Sequence, residues 1–468
     1  MKSNLNKDMM IRTISLLLLI WVITGCGGIE EWIHDDVDEA FTDKTFSKKE
    51  LAEDLEFLKT QMAERHPVFH ELTDSDSIVA KFESINSNLK SDMSRQDFFK
   101  LIGKFNPYFK DGHSFIFPLL AEGYYHEENG QYLYPFGVYV NDQSIYINKT
   151  YKHKSNSITI EKGTRVVSIN GVAGETILKE LAEYGHGETA TLRMHMSTLL
   201  FHYWLHAIYG WQGNFELVLE HNDQLTTITA FNPENWESKQ NKLGDNWLDI
   251  MPNQIAYLRL GSFDVDEEAG FEEFVENAFA QIQQQKISKL IIDVRGNTGG
   301  QTDAGAVVIK YLTNKELNQA STAIEKLNED NNGLFGYKGE PGEIIEIDVT
   351  NDEIIEPVEE SKRFKGEVIV LIDEMTYSAG VVFVTTIQDH KLAKLVGQPT
   401  GGHANQTGNL NPFYLPNTKL LVLAPSRYIT RVSGETRKQT VQPDVIVNKG
   451  NDPEVDRTLE VSQGLFTN

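Results

Sequence analysis

The residue best placed for chemistry is a serine at the point where a strand becomes a helix. Glu367 to Asp389 reads EVIVLIDEMTYSAGVVFVTTIQD. This is a β-branched run of the kind covered on both faces in a sheet, a short turn, and an apolar stretch long enough for a core helix. Ser378 falls between them, beside free backbone N–H groups and the positive end of the helix dipole, where a developing oxyanion is stabilised. Serine is also a favoured helix N-cap, so the local pattern leaves cap and nucleophile both open.

A second strand, turn and helix unit spans Ile287 to Ile309, ISKLIIDVRGNTGGQTDAGAVVI. Gly296, Gly299 and Gly300 let the backbone take positive φ and come close to a ligand. The turn lacks the Lys-Ser/Thr pair of a phosphate loop and the spacing of a dinucleotide fingerprint. His113 lies on the turn of FKDGHSFIFP (Phe109 to Pro118). A turn histidine can be aimed at a cleft or simply hydrogen-bonded at the surface. His186, His195, His202 and His206 raise the question of a metal. Only His202 and His206 share a helix face by spacing, the glutamate of the zinc protease motif is missing, and the aromatic residues between them suggest packing; no metal is expected.

The chain that must position these groups has 468 residues, 40% hydrophobic and 24% charged, enough for roughly two to four domains of ~100–200 residues. Its net charge of −25 disfavours a nucleic-acid partner. Lys2, Lys7 and Arg12 precede an apolar run from Ile14 to Ile23 and small residues ending in Cys26, the pattern of a signal peptide, with a run too short to span a membrane. Cys26 is the only cysteine, so no intramolecular disulfide can form.

An acidic, aperiodic stretch then reads as a solvated tether. Ser47 with Glu50 predicts a capping box, and Leu51, Leu55, Leu58 and Met62 carry helical spacing. Further helices are expected at Ile78 to Leu89 and Arg95 to Phe105, and a hairpin over Tyr132 to Asn148 with its turn at Asn141-Asp142. Glu216 to Phe231 reads as another hairpin, Glu234 to Asp245 as a polar linker, and Ile255 to Leu260 as a strand before a helix over Glu267 to Gln284. Asn328 to Glu360 reads as a lid or, more simply, a solvated insertion. Arg427, Arg431 and Arg437 are expected at the surface, with His390 as a charge partner for a helix C-terminus.

Four motifs occur in order: Asp293 to Gly300 (DVRGNTGG), Thr376 to Gly380 (TYSAG), Val396 to Gly402 (VGQPTGG) and Val441 to Asp444 (VQPD). Together they resemble the signature of the S41 peptidases, the family of tail-specific (C-terminal processing) proteases and the tricorn core protease. The resemblance implies an α/β fold: a crotonase-like αβ catalytic core over residues 246–468, preceded by an N-terminal helical domain at 47–120 and a strand region with a PDZ-like module at 121–235. It implies serine acyl transfer without cofactor or metal. Ser378 would attack the scissile carbonyl, and the oxyanion would rest on the backbone N–H of Ala379 and of Gly299 or Gly300.

For the base, the tail-specific branch uses a lysine at the position held here by His403. The tricorn-like branch uses a histidine upstream of the PDZ-like module, which matches His113, with Ser114 or a late acidic residue such as Glu435 to orient it. The end of the leader, Ile23 to Cys26, resembles a bacterial lipobox, implying a signal peptide over 1–25, a tether over 26–46, and a lipid anchor at Cys26 in a cell envelope. The implied partner is a peptide or unfolded protein. A non-catalytic peptide- or lipophile-binding lipoprotein on the same fold is the alternative.

Overall fold

The computed structural model describes residues 43–73, 75–238, 246–265, 268–333, 336–349, 354–448 and 455–466. The leader, Cys26 and most of the tether lie outside the described residues. The tether ends earlier than residue 46: Thr45–Phe46 is a strand paired with Met93–Ser94, because Phe46 is wholly buried. Ser47 and Glu50 then cap the helix Lys48–Arg65 reciprocally, with the Ser47 N–H donating to Glu50 at 2.8 Å. Helices Ser75–Asn88 and Arg95–Ile102 follow, and Ser94 caps the second. These helices do not enclose a core of their own. Phe98, Phe105 and Phe109 pack in one hydrophobic cluster with Val138, Ile145 and Leu217 of the next sheet and with Phe413 and Val422 of a later hairpin.

That next sheet is antiparallel, ordered Gln224–Ala230, Phe215–His221, Arg165–Ile169, Ser144–Ile147, Val138–Asn141, with Val172–Ala173 on Arg165–Ile169. The expected linker is partly folded. Its residues Trp236–Ser238 pair with Tyr151–His153, since Trp236 is buried with its ring 4.9 Å from that of Phe136; residues 239–245 lie outside the described residues.

A six-stranded sheet carries the two glycine-bearing turns. Its order is Asn246–Ile250, Ile255–Leu260, Lys289–Asp293, Glu367–Ile372, Lys394–Gly397, Val445–Ile446, parallel from the second strand onward. Successive side chains on a strand point to opposite faces. Leu290, Ile292, Val370 and Ile372 therefore meet the helices Glu268–Gln284, Thr302–Ile309 and Ala379–Asp389, while Ile291, Ile369 and Leu371 pack with Phe466 after the helix Arg457–Leu465. Burial on both faces is why these strands read as continuous apolar runs.

The remaining five-stranded sheet is ordered Ile344–Ile347, Thr322–Lys326, Leu421–Thr430, Gln406–Tyr414, and Phe115–Ile116 adds to Leu421–Thr430 with Leu423 opposite Phe115. The stretch expected as a solvated insertion thus contributes the strand Ile344–Ile347, and Ile354–Ile355 pairs with Leu317–Asn318, burying Ile355. The whole is a mixed α/β fold. Among the described residues, no helix is long and apolar enough to cross a membrane.

Candidate active site

The two glycine-bearing turns are tied to each other. Asp373 Oδ1 accepts the Gly296 N–H at 2.8 Å, Thr376 Oγ1 donates to Val294 O at 2.9 Å, and the Tyr377 N–H donates to Asn297 O at 2.9 Å. Ser378 follows with φ +50° and ψ −124°, a conformation that strains a residue with a Cβ. Its side chain makes no capping bond to the helix it begins, so the hydroxyl is turned elsewhere.

Gly299 (φ +120°) lies against it: a Cβ on Gly299 would stand 2.6 Å from Ser378 Cβ. A Cβ on Gly300 would overlap the backbone of Phe263. The Gly299 N–H is engaged by Asn297 Oδ1 at 2.9 Å. Those of Gly300 and Ala379 donate to no group among the described residues, so of the two glycines named from the motif it is Gly300 whose N–H is open to a ligand.

The base candidate arrives from the other end of the chain. Pairing of Phe115–Ile116 with Leu421–Thr430 carries the turn Asp111–His113 to the Ser378 side of the sheet, and His113 Nε2 lies 3.0 Å from Ser378 Oγ. Asp111 Oδ1 accepts the His113 backbone N–H at 3.0 Å and the Thr407 hydroxyl at 2.7 Å, while Oδ2 accepts from Ser114 Oγ at 2.7 Å and faces His66 Nε2 at 3.0 Å. Thr407 Oγ1 is 3.1 Å from His113 Nδ1. Its proton is committed to Asp111, so it accepts from Nδ1–H, which leaves Nε2 as the acceptor for the Ser378 proton. The Tyr377 phenol also lies 3.1 Å from Nδ1, and its ring stacks on the imidazole at 4.8 Å.

Burial pushes the His113 pKa below its ordinary value, opposed by the charge of Asp111 and assisted by His66. An unprotonated imidazole at neutral pH follows. For Asp111 burial acts to raise the pKa, but the hydrogen bond and field of His66, the field of His113 and the Ser114 hydroxyl hold it well below the usual carboxylate range. Gln406 Nε2 donates to Ser378 O at 2.8 Å, steadying the strained residue from behind. A cavity of about 300 Å³ opens beside Ser378, with polar groups from His113, Gly300 and Ala379 and apolar walls from Phe115, Met196, Leu199 and Ile429.

Other residues singled out in the sequence fall elsewhere. His403 does not line this cavity; its backbone bridges to Thr440, and burial and then Lys438 lower its pKa. The Glu435 carboxylate is paired with exposed Arg437 at 2.6 Å and makes no contact with His113. Ser114 reaches Asp111, not the imidazole. Arg427 and Arg431 are not free surface arginines, being bound to buried Glu325 at 2.8 Å and to Asp389 at 2.6 Å. His390 Nε2 bonds Asn318 O at 3.0 Å. No cluster of metal-ligating side chains occurs among the described residues.

No local pattern marks Thr407, Tyr377, Gln406 or His66 as neighbours of the serine. Asp111 stood in view only as a turn residue.

Residues 254–447 match the model of Peptidase family S41. The tail-specific protease of Haemophilus influenzae is 25% identical over 168 residues, 35% of this chain and 20% of that protein. The carboxyl-terminal-processing protease of Picosynechococcus is 23% identical over 195 residues, 42% of this chain and 39% of that protein. This chain therefore covers only a minor part of the length of either relative. Among solved structures, a mutant of CPAF superposes with a TM-score of 0.62 at 14% identity, covering 86% of this chain and 93% of that one, and mature CPAF with 0.58 at 14%, covering 85% and 92%. At such identity the likeness is one of fold. The likeness to peptidase family S41 thus lies in residues 254–447, the part of the chain that carries both glycine-bearing turns and Ser378.

Proposed function

We propose that the chain is an exported serine endopeptidase that hydrolyses peptide bonds of peptides or unfolded proteins through an acyl-enzyme on Ser378. What supports this most is the 3.0 Å contact of His113 Nε2 with the hydroxyl of a strained serine that does not cap its own helix. In this reading Ser378 Oγ attacks the scissile carbonyl as its proton passes to His113 Nε2. The imidazolium is stabilised by Asp111 acting through Thr407, and the tetrahedral oxyanion by the N–H groups of Gly300 and Ala379, fixed donors that need no reorganisation as charge develops. The intermediate collapses with the proton delivered to the leaving amine. A water, deprotonated by the same nitrogen, then releases the acyl group. His403 and Glu435 carry no proton in this scheme.

The core over residues 246–468 would be crotonase-like and the antiparallel sheet before it PDZ-like. Export and a lipid anchor at Cys26 rest on the leader pattern alone. A serine-directed fluorophosphonate should label the protein and fail to label Ser378→Ala. A folded protein with neither labelling nor peptide turnover would instead be a ligand-binding member of the family, its cavity serving an apolar or peptide ligand.

A further inference from the structure

The phenol of Tyr377 is shared between two partners and has a single proton to give. It lies 3.1 Å from His113 Nδ1 and 3.2 Å from Glu188 Oε1. When that proton points to Glu188, the phenol oxygen accepts from Nδ1–H, and Nε2 is left bare toward Ser378. When it points to Nδ1, the imidazole proton sits on Nε2, and Ser378 meets a donor where it needs an acceptor. A carboxylate at Glu188 can only accept and so commits the phenol to the first arrangement. A neutral carboxyl can itself donate to the phenol oxygen and permits the second.

The heavy atoms leave little room for any other response. The Tyr377 ring is clamped between Gly112 and Gly402, where a Cβ on either glycine would overlap it. Glu188 lies between the helices Gly174–Ala182 and Ala190–Met196, in a loop pinned on both sides of it. His186 Nδ1 donates to Gly112 O at 2.7 Å, and Thr189 Oγ1 to Gly401 O at 2.9 Å. What can change cheaply is the direction of one O–H bond.

We propose that Glu188 is a positioning residue for the peptidase site: through Tyr377 it adds to the preference of the His113 proton for Nδ1, so that its ionisation moves the Ser378–His113 pair from a less active to a more active form. This rests on the reading of Ser378 and His113 given above. It is distinct from the Asp111–Thr407 support, which favours the same tautomer whatever the state of Glu188.

The setting puts the switch near neutral pH. Burial and then the charge of Asp111 push the Glu188 pKa up to about 8, against hydrogen bonds that include the Tyr377 hydroxyl and the His403 backbone. The other groups that feel Glu188 are Arg193, on the helix that follows it, and Tyr428, on the strand Leu421–Thr430. Arg193 favours the anion and Tyr428 is held protonated, its own pKa raised chiefly by burial. As pH rises through about 8, Glu188 becomes an acceptor and the productive tautomer is locked in.

The test is the pH profile of fluorophosphonate labelling, and of peptide kcat and KM, for the full chain with Glu188→Gln and Tyr377→Phe beside it. The parent should show a rise as His113 loses its proton and a second rise near pH 8 of roughly three- to tenfold, the worth of one hydrogen bond. That second rise should fall in kcat with KM steady, and be missing from both variants. Histidine 15N NMR of the parent should show the His113 nitrogens changing pattern between pH 7 and pH 9, and this measurement stands even if a variant fails to fold. A second rise that persists in Glu188→Gln, its absence from the parent, or 15N signals unchanged over that range would overturn the proposal while leaving Ser378 as nucleophile. A parent that is never labelled at any pH removes the peptidase reading and this proposal together.

Discussion

Thr407 Oγ1 donates to Asp111 Oδ1 across 2.7 Å, joining residues 296 apart in sequence. The direct separation of Asp111 Oδ1 from His113 Nδ1 is 3.8 Å, so the carboxylate acts on the imidazole through a hydroxyl. Replacing Asp111 by Asn removes the charge that balances an imidazolium and is expected to lower kcat by about 10²–10⁴. Thr407→Val should lose roughly tenfold or more and Thr407→Ser should retain activity, since only the hydroxyl is needed. Steady-state kinetics on variants with unchanged circular dichroism measure both.

Ser378→Ala should abolish labelling, and His113→Ala should reduce its rate by about 10²–10⁴. His403→Ala and Glu435→Gln should stay within roughly threefold of the parent, because neither side chain reaches the serine. A collapse of labelling in His403→Ala, with His113→Ala near normal, would reassign the base.

Gly299→Ala separates activity from folding. The added Cβ would stand 2.6 Å from Ser378 Cβ at a φ of +120°, so the serine must move or the turn must open. Strain of this kind costs about 1–3 kcal/mol, within what a folded domain tolerates. A displacement of about 1 Å at Ser378 is expected to cost roughly 10²-fold in kcat. Labelling rates and thermal melting of the same sample give the two numbers.

Asp293, the first residue of the motif that carries the glycine turn, is a support for that turn. Its buried carboxylate bonds Arg295 at 2.7 Å, Arg259 at 3.2 Å and the Tyr257 hydroxyl. Burial acts to raise its pKa, but Arg295 and then Arg259 draw it below the ordinary value, so this contribution is present above pH ~4 and lost as pH falls toward the folded pKa. Asp293→Ala leaves Arg259 and the buried Tyr257 hydroxyl without their carboxylate while Arg295 keeps Asp456 at 2.8 Å, and is expected to lose about 1–3 kcal/mol in urea unfolding.

Buried histidines should make the fold sensitive to mild acid. Burial lowers the pKa of His186 and His206 to about 4 each. Unfolded, each takes up a proton near pH ~6.5, so the unfolded state binds more protons and stability falls as pH drops through that value toward 4. The loss is on the order of 3 kcal/mol per residue at most. Glu188, raised to about 8, acts in the opposite sense over the same range, so the histidine contribution is read by comparison: the melting temperature of His206→Gln should fall less between pH 7 and pH 4 than that of the parent.

How much of this was legible depended on whether the signal was local. The strand, turn and helix around Ser378 could be read because burial on both faces writes itself into consecutive residues, and the Ser47–Glu50 capping box because its parts are three apart. Trp236 was hidden in a polar stretch because its burial depends on a partner strand, Tyr151–His153, far earlier in the chain. Asp111 reaches Thr407 through the pairing of Phe115–Ile116 with Leu421–Thr430, and the Glu188 loop reaches Gly112 and Gly401 through His186 and Thr189; no periodicity marks such meetings. His113 and His403 were both open for the same reason. A motif can name candidates, but the 3.0 Å between His113 and Ser378 is a property of the assembled sheet.

That strand pairing also sets an order of events at the ribosome. Residues 113 and 378 are both made before Leu421–Thr430, the strand on which Phe115–Ile116 docks. A nascent chain long enough to display its serine still lacks the edge that holds its imidazole in place. On the proposed reading of the site, Ser378 therefore gains its imidazole partner only after that strand has been made, so the order of synthesis itself delays assembly of the pair.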